Sequence, residues 1–132
     1  MSKKVNIEYD SDEFYIDGTI LFRYYGDGGE VVVPDGIDTV EAEAFIDTEE
    51  VTSITFPKTF RSINGHAFAG CVNLEKFSFA EPNEIFHTID GNVYRENGAV
   101  LATYAVGKKD AVFTVPETVK VIEAQAFYHA DF

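Results

Sequence analysis

Cys71 and His66 stand five residues apart, close enough to ask whether a thiol and an imidazole base form a nucleophilic pair. That chemistry needs a third group to orient the base, and the sequence offers none at a recognisable spacing. Free cysteine is among the most buried residue types, so Cys71 is expected to be packed. His66, His87 and His129 share no metal-ligand spacing, and neither His-Glu-x-x-His nor Cys-x-x-Cys occurs. Asp10-Ser11-Asp12-Glu13 is the densest acidic run, and oxygen ligands suit calcium. Phe14 and Tyr15 then occupy the places where a calcium loop needs ligands and a glycine, so the run reads as a solvated edge. Gly26-Asp27-Gly28-Gly29-Glu30 is glycine-rich, but its two acids and lack of lysine disqualify it as a phosphate cradle. A turn is expected there. Gly-x-Ser-x-Gly, Ser-x-x-Lys and the Walker pattern are absent. The reading is therefore of a non-enzyme, with no catalytic residue, no metal and no cofactor.

Composition narrows the partners. Ten Lys and Arg against 23 Asp and Glu give a formal net charge of −13. Nucleic-acid backbones and anionic lipid surfaces both need a cationic footprint, so neither is expected as a partner. The 132 residues suit one domain, and 45% hydrophobic residues suffice for a core. A single cysteine excludes an internal disulfide framework. Lys3-Lys4 is followed by Glu8, Asp10, Asp12 and Glu13 rather than by the apolar run of a signal peptide. No stretch approaches the ~20 apolar residues of a membrane helix, so no membrane insertion is expected.

The elements that would position any site emerge from the prolines. Pro34, Pro57 and Pro116 each follow a β-rich triplet: Val31-Val32-Val33, Ile54-Thr55-Phe56 and Phe113-Thr114-Val115. Three residues after each proline stands Ile37, Phe60 or Val119, and six after stands Val40, Ile63 or Ile122. Ala44-Phe45, Ala67-Phe68 and Ala126-Phe127 complete each copy. The first two copies lie 23 residues apart and the third 59 further on, so an insertion separates them. Within a copy, a β-branched strand ends at proline, which lacks a donor and fixes a turn. The Ala-Phe pair suits one helical turn. One copy cannot bury its own apolar residues, but stacked copies can. Phe45, Phe68 and Phe127 are then expected to form an aromatic ladder.

The insertion contains a hairpin signal, Val93 to Leu101, with Asn97-Gly98 suited to a type I′ turn. A related piece opens the chain. Ile16-Asp17-Gly18 parallels Ile89-Asp90-Gly91, and Leu21 and Tyr24 parallel Leu101 and Tyr104. Two hairpin-plus-repeat modules are expected, the first with an additional repeat.

The segment Ile54 to Leu74 and its two flanking copies resemble the BspA-type leucine-rich repeats, with Val, Ile and Phe standing where leucine is usual. The resemblance runs over about residues 14 to 132. It implies a leucine-rich-repeat solenoid, mostly β with short helical turns, a right-handed coil with β-hairpin insertions and a narrow parallel sheet on the concave face. Residues 14–30 would be an amino-terminal hairpin segment, 31–79 two repeats, 80–112 the hairpin insertion and 113–132 a truncated last repeat. The resemblance also implies a cell-surface or secreted setting and a protein partner, and it brings no catalytic residue.

Strand residues alternate between faces. Val31, Val33, Ile54, Phe56, Phe77, Phe79, Phe113 and Val115 are expected inside. Glu30, Val32, Ser53, Thr55, Lys76, Ser78, Val112 and Thr114 should line the concave strip, the candidate partner-binding site of a protein-binding or adhesion module. Tyr9, Tyr15, Tyr24, Tyr25, Tyr94, Tyr104 and Tyr128 are placed to be partly exposed, as interface tyrosines are. A structural role is the alternative. Val121, Ile122, Phe127 and Phe132 would form an open apolar end through which the last repeat makes a homodimer.

Overall fold

The computed structural model describes residues 13–108, 112–123 and 126–127. Ten short strands follow one another: β1 (Phe14–Asp17), β2 (Ile20–Tyr24), β3 (Gly29–Val32), β4 (Thr39–Val40), β5 (Val51–Phe56), β6 (Lys76–Phe79), β7 (Phe86–Ile89), β8 (Asn92–Arg95), β9 (Val100–Thr103) and β10 (Val121–Ile122). A 3-10 helix, Gly65–Phe68, lies between β5 and β6. The architecture is a mostly β solenoid with almost no helix.

The stacking follows the repeated residues. β3, β5 and β6 form a parallel sheet in which Glu30 pairs with Ser53 and Ser53 with Lys76. Each partner is one 23-residue turn along the chain. Each proline closes a turn: Ile37, Phe60 and Val119 donate their backbone N–H to Pro34, Pro57 and Pro116 at 3.4, 3.1 and 3.1 Å. A second edge follows, where β2 pairs in parallel with β4 and Thr39 bridges to Ser62. On a third side the Ala-Phe turns hydrogen-bond in series, Tyr24 N–H to Ala44 O at 2.9 Å and Phe45 N–H to Ala67 O at 2.8 Å. Asn64 caps the 3-10 helix by accepting from His66 N–H, which is why this copy forms helix where the first forms turns.

The core runs along the stack. Leu21, Val40, Phe45, Ile54, Phe56, Phe68 and Phe77 belong to one buried cluster. The ladder is headed by a tyrosine, with ring centroids 5.2 Å apart for Tyr24–Phe45 and 5.7 Å for Phe45–Phe68. Phe127 does not extend it. It packs instead on Tyr104 at 4.9 Å and on Phe113 at 5.7 Å, in a smaller cluster around Tyr94, Leu101 and Ala126.

The second module repeats the bonds that join hairpin to repeat in the first. Leu21 pairs with Val40, and Leu101 with Ile122. Glu41 donates to Leu21 O, and Glu123 to Leu101 O, both at 3.0 Å. Tyr104 N–H reaches Ala126 O at 2.8 Å, as Tyr24 reaches Ala44. The turn matching Asp17-Gly18 is therefore Asn97-Gly98, not Asp90-Gly91 as the shared Ile-Asp-Gly triplet suggests. Positive φ extends over Glu96, Asn97 and Gly98, as turns of the primed kind require, so the connection is longer than two residues. Asp90-Gly91, with φ of 54° and 83°, turns a further hairpin, β7–β8.

Candidate functional site

Two rows of side chains cross the exposed face of the parallel sheet: Glu30–Ser53–Lys76 and Val32–Thr55–Ser78. Their neighbours Val31, Ile54 and Phe77 point into the core, as strand alternation demands. Thr55 and Ser78 share a hydrogen bond between hydroxyls at 2.9 Å. Ser53 is only 6% exposed, because its short side chain lies between the longer Glu30 and Lys76 on strands that pack closely. Val32 is 63% exposed at the start of its row, an apolar side chain facing solvent.

Val112 and Thr114 do not join the strip. Among the described residues, 112–115 form no strand, and Val112 and Val115 are exposed. The hairpin insertion is the cause. It lies beside β6, where Phe77 N–H donates to Gly91 O at 2.8 Å, so no parallel partner is left for a fourth sheet strand. The expected inward placement of Val115 fails for the same reason, while Phe113 is half-buried against Tyr104. The sheet face thus consists of six of the eight expected positions.

The other candidates are accounted for by packing. Cys71 is fully buried; its thiol meets Phe45 O at 3.0 Å and Thr48 Oγ1 at 3.2 Å. Burial pushes its pKa up, with Asp47 adding and the Thr48 hydrogen bonds opposing. A thiol so protonated is a poor nucleophile. His87 stacks on Tyr94 at 6.0 Å, and His129 lies outside the described residues, as do Asp10, Ser11 and Asp12. No group of three or more His, Cys, Asp or Glu among the described residues could hold a metal ion.

The glycine-rich turn uses its amides internally. Gly28 N–H donates to the Tyr24 hydroxyl at 2.7 Å and Gly29 N–H to Glu50 O at 2.7 Å. Gly28 has a φ of 94°, and a Cβ there would lie 2.3 Å from Glu50 Cβ, so only glycine fits. Burial raises the Tyr24 phenol pKa, with Glu13, Asp27 and Glu50 adding against the Gly28 hydrogen bond. Tyr24, Tyr94 and Tyr104 are buried, contrary to expectation, because they pack inside the hairpins rather than over them. Tyr15 and Tyr25 are exposed as expected; Tyr9 and Tyr128 lie outside the described residues.

A groove of about 670 Å³ runs between the segment Asn83–His87 and the turn Arg95–Asn97. Its charged groups are already engaged. Glu84 faces Arg61 at 4.0 Å, and Arg95 bonds both Glu96 and Glu123. Asn83 is saturated: its carbonyl accepts from Ile85 and Phe86, and its amide donates to Lys58 O and Phe60 O. Asn83 thereby ties β7 to the turn after Pro57. The strand β7 itself was missed in the sequence, although Phe86–Ile89 followed by Asp90-Gly91 carries a strand-and-turn signal.

Residues 18–100 match the family described as "BspA type Leucine rich repeat region (6 copies)". The chain belongs to this family. A leucine-rich repeat protein from Eubacterium ventriosum ATCC 27560 superimposes with a TM-score of 0.66 at 24% identity, over 76% of this chain and 27% of that one. The pneumococcal vaccine antigen PcpA does so with a TM-score of 0.59 at 17% identity, over 78% of this chain and 32% of that one. At these identities the likeness is one of fold, and this chain spans no more than 32% of either protein. No curated protein matches the sequence. No helix among the described residues is long and apolar enough to cross a membrane.

Proposed function

We propose that this BspA-type repeat chain is a non-catalytic protein-recognition module that binds through the exposed rows of β3, β5 and β6. One observation carries the reading: the sheet presents the rows Glu30–Ser53–Lys76 and Val32–Thr55–Ser78 on one face, with Glu30, Val32 and Lys76 exposed, Thr55 and Ser78 half-buried and Ser53 buried between its neighbours. Leucine-rich repeats generally mediate protein interactions, and the burial of Cys71 removes the one nucleophile the sequence offers. The proposal extends to a cell-surface setting and an adhesive role, which the resemblance to the BspA-type repeats implies.

A second reading draws on β10. Val121 and Ile122 are 51% and 44% exposed, whereas Val40, the counterpart of Ile122 in the first module, is 1% exposed. An uncovered strand with exposed apolar side chains pairs readily with another chain, here a second copy.

The test is affinity capture from cell-surface extracts with this chain and with a Ser53→Lys, Thr55→Lys, Ser78→Lys variant as baits. A protein retained by the first and lost by the second supports the sheet face. Equal retention rejects it. Concentration-dependent mass abolished by Ile122→Asp, with no protein retained, supports the second reading.

A further inference from the structure

Resting on the recognition reading above, we infer that the sheet face takes an extended, cationic protein segment laid along β3. Three observations combine. The first is the edge. β3 ends the parallel sheet, and no described strand pairs its outer side, so a row of backbone donors and acceptors is available to an added strand. Beside that edge Val32 offers an exposed apolar contact for an alternate side chain of the incoming strand.

The second is charge at the head of this edge. Glu13, Asp27 and Glu50 all lie within electrostatic reach of the Tyr24 hydroxyl, and all three are exposed. The Tyr24 hydroxyl oxygen accepts from Gly28 N–H, and Gly29 N–H donates to the backbone carbonyl of Glu50, so the backbone beside Asp27 and that of Glu50 are tied into the turn that leads into β3. Glu30 continues them along the strand.

The third is the distribution of cations. Lys58, Arg61, Arg95 and Lys108 are each paired with a carboxylate on the hairpin insertion or beside it: Glu81, Glu84, Glu96 and Asp90. The negative charge on that side is partly neutralised within the chain, whereas among the described residues Glu13, Asp27, Glu30 and Glu50 at the β3 end make no salt bridge. Complementary potentials steer and orient association, so the preferred partner carries Lys or Arg at alternate positions.

The probe is a fluorescein-labelled peptide alternating lysine and valine, beside one alternating glutamate and valine, with binding read by anisotropy. The lysine peptide should bind and the glutamate peptide should not. Asp27→Asn, Glu30→Gln, Glu50→Gln together should weaken binding about tenfold, and raising salt from about 50 to about 300 mM should weaken it further. Glu84→Gln, Glu96→Gln, Glu117→Gln removes the same charge at the other end and should change affinity less than about twofold. Equal losses in the two triple variants would mean that the peptide reads net charge alone, and would overturn the site. If neither peptide binds but a captured protein still depends on Ser53, Thr55 and Ser78, the cationic class is overturned and the recognition face stands. If both experiments fail, both readings fall. Amide-for-carboxylate changes preserve shape, and unchanged circular dichroism in each variant confirms that folding is not what the peptide reports.

Discussion

Leu21 and Leu101 occupy the same place in two copies of one arrangement, yet they belong to different cores. Each lies on the second strand of a hairpin, pairs in parallel with the strand after a proline turn, and accepts from a glutamate N–H at 3.0 Å. Leu21 is followed by a stack whose buried residues reach Phe77 and Phe86. Among the described buried residues, Leu101 shares its cluster with Tyr94 and Ala126. The local geometry is written in the repeated residues, whereas the extent of the buried cluster differs between the two places. A solenoid's stability is approximately a sum over turns and their interfaces, so the two ends should differ in how they open.

The largest expected effect separates the two leucines. Leu21→Ala should lower the global unfolding free energy by about 3 kcal/mol, within the range for buried leucine truncations. Leu101→Ala should mainly release the last turn. In hydrogen exchange, amides 119–123 would then lose protection while β5 and β6 keep theirs. Equal loss across the chain in both variants would show one cooperative unit and erase the distinction.

Tyr24→Phe comes next. It removes the acceptor of Gly28 N–H and should cost about 1 kcal/mol by denaturant titration. It should also flatten the alkaline limb. The folded phenols of Tyr24 and Tyr94 have pKa values above the ordinary 10.0, raised chiefly by burial. The folded chain therefore holds those protons more tightly than the unfolded one. That stabilisation is present below pH 10 and is lost as pH rises through the folded values. Stability that does not fall above pH 10 would contradict their burial.

Arg95→Gln is expected to be smaller still. Its guanidinium bonds Glu123, joining β8 to the residue after β10, and that contact raises its pKa. The pair is partly solvated, so the loss should be at most about 1 kcal/mol and confined to exchange in residues 119–123. The smallest signal comes from Cys71, which should stay unreactive toward a thiol reagent at pH 8 until the chain unfolds. Prompt native-state labelling would show that the first core is looser than its packing indicates.

The stacked turns were legible because each repeated residue is a rung. In the first two copies Phe45 N–H donates to Ala67 O and the Phe45 ring packs on Phe68, one turn away. The side-chain rows were legible over β3, β5 and β6, where alternation and register suffice. The pattern failed at 112–115, whose Phe-Thr-Val triplet has strand composition but no neighbouring strand. Strand propensity describes a fit to a half-buried pleated surface, and the surface must be there to fit. The hairpin insertion removes it, through a contact between Phe77 and Gly91 that no local pattern encodes. The buried tyrosines escaped for a similar reason. An aromatic ring with a polar tip reads as an interface residue until a Gly28 N–H is found waiting for the hydroxyl.

The most direct test of the recognition face is a hydrogen-exchange footprint of the chain with a protein that it retains. New protection should appear in residues 29–33, 51–56 and 76–79, with the hairpin of β7, β8 and β9 unchanged. Protection gained instead in β7–β9 or in 119–123, with the sheet unaffected, would contradict the account.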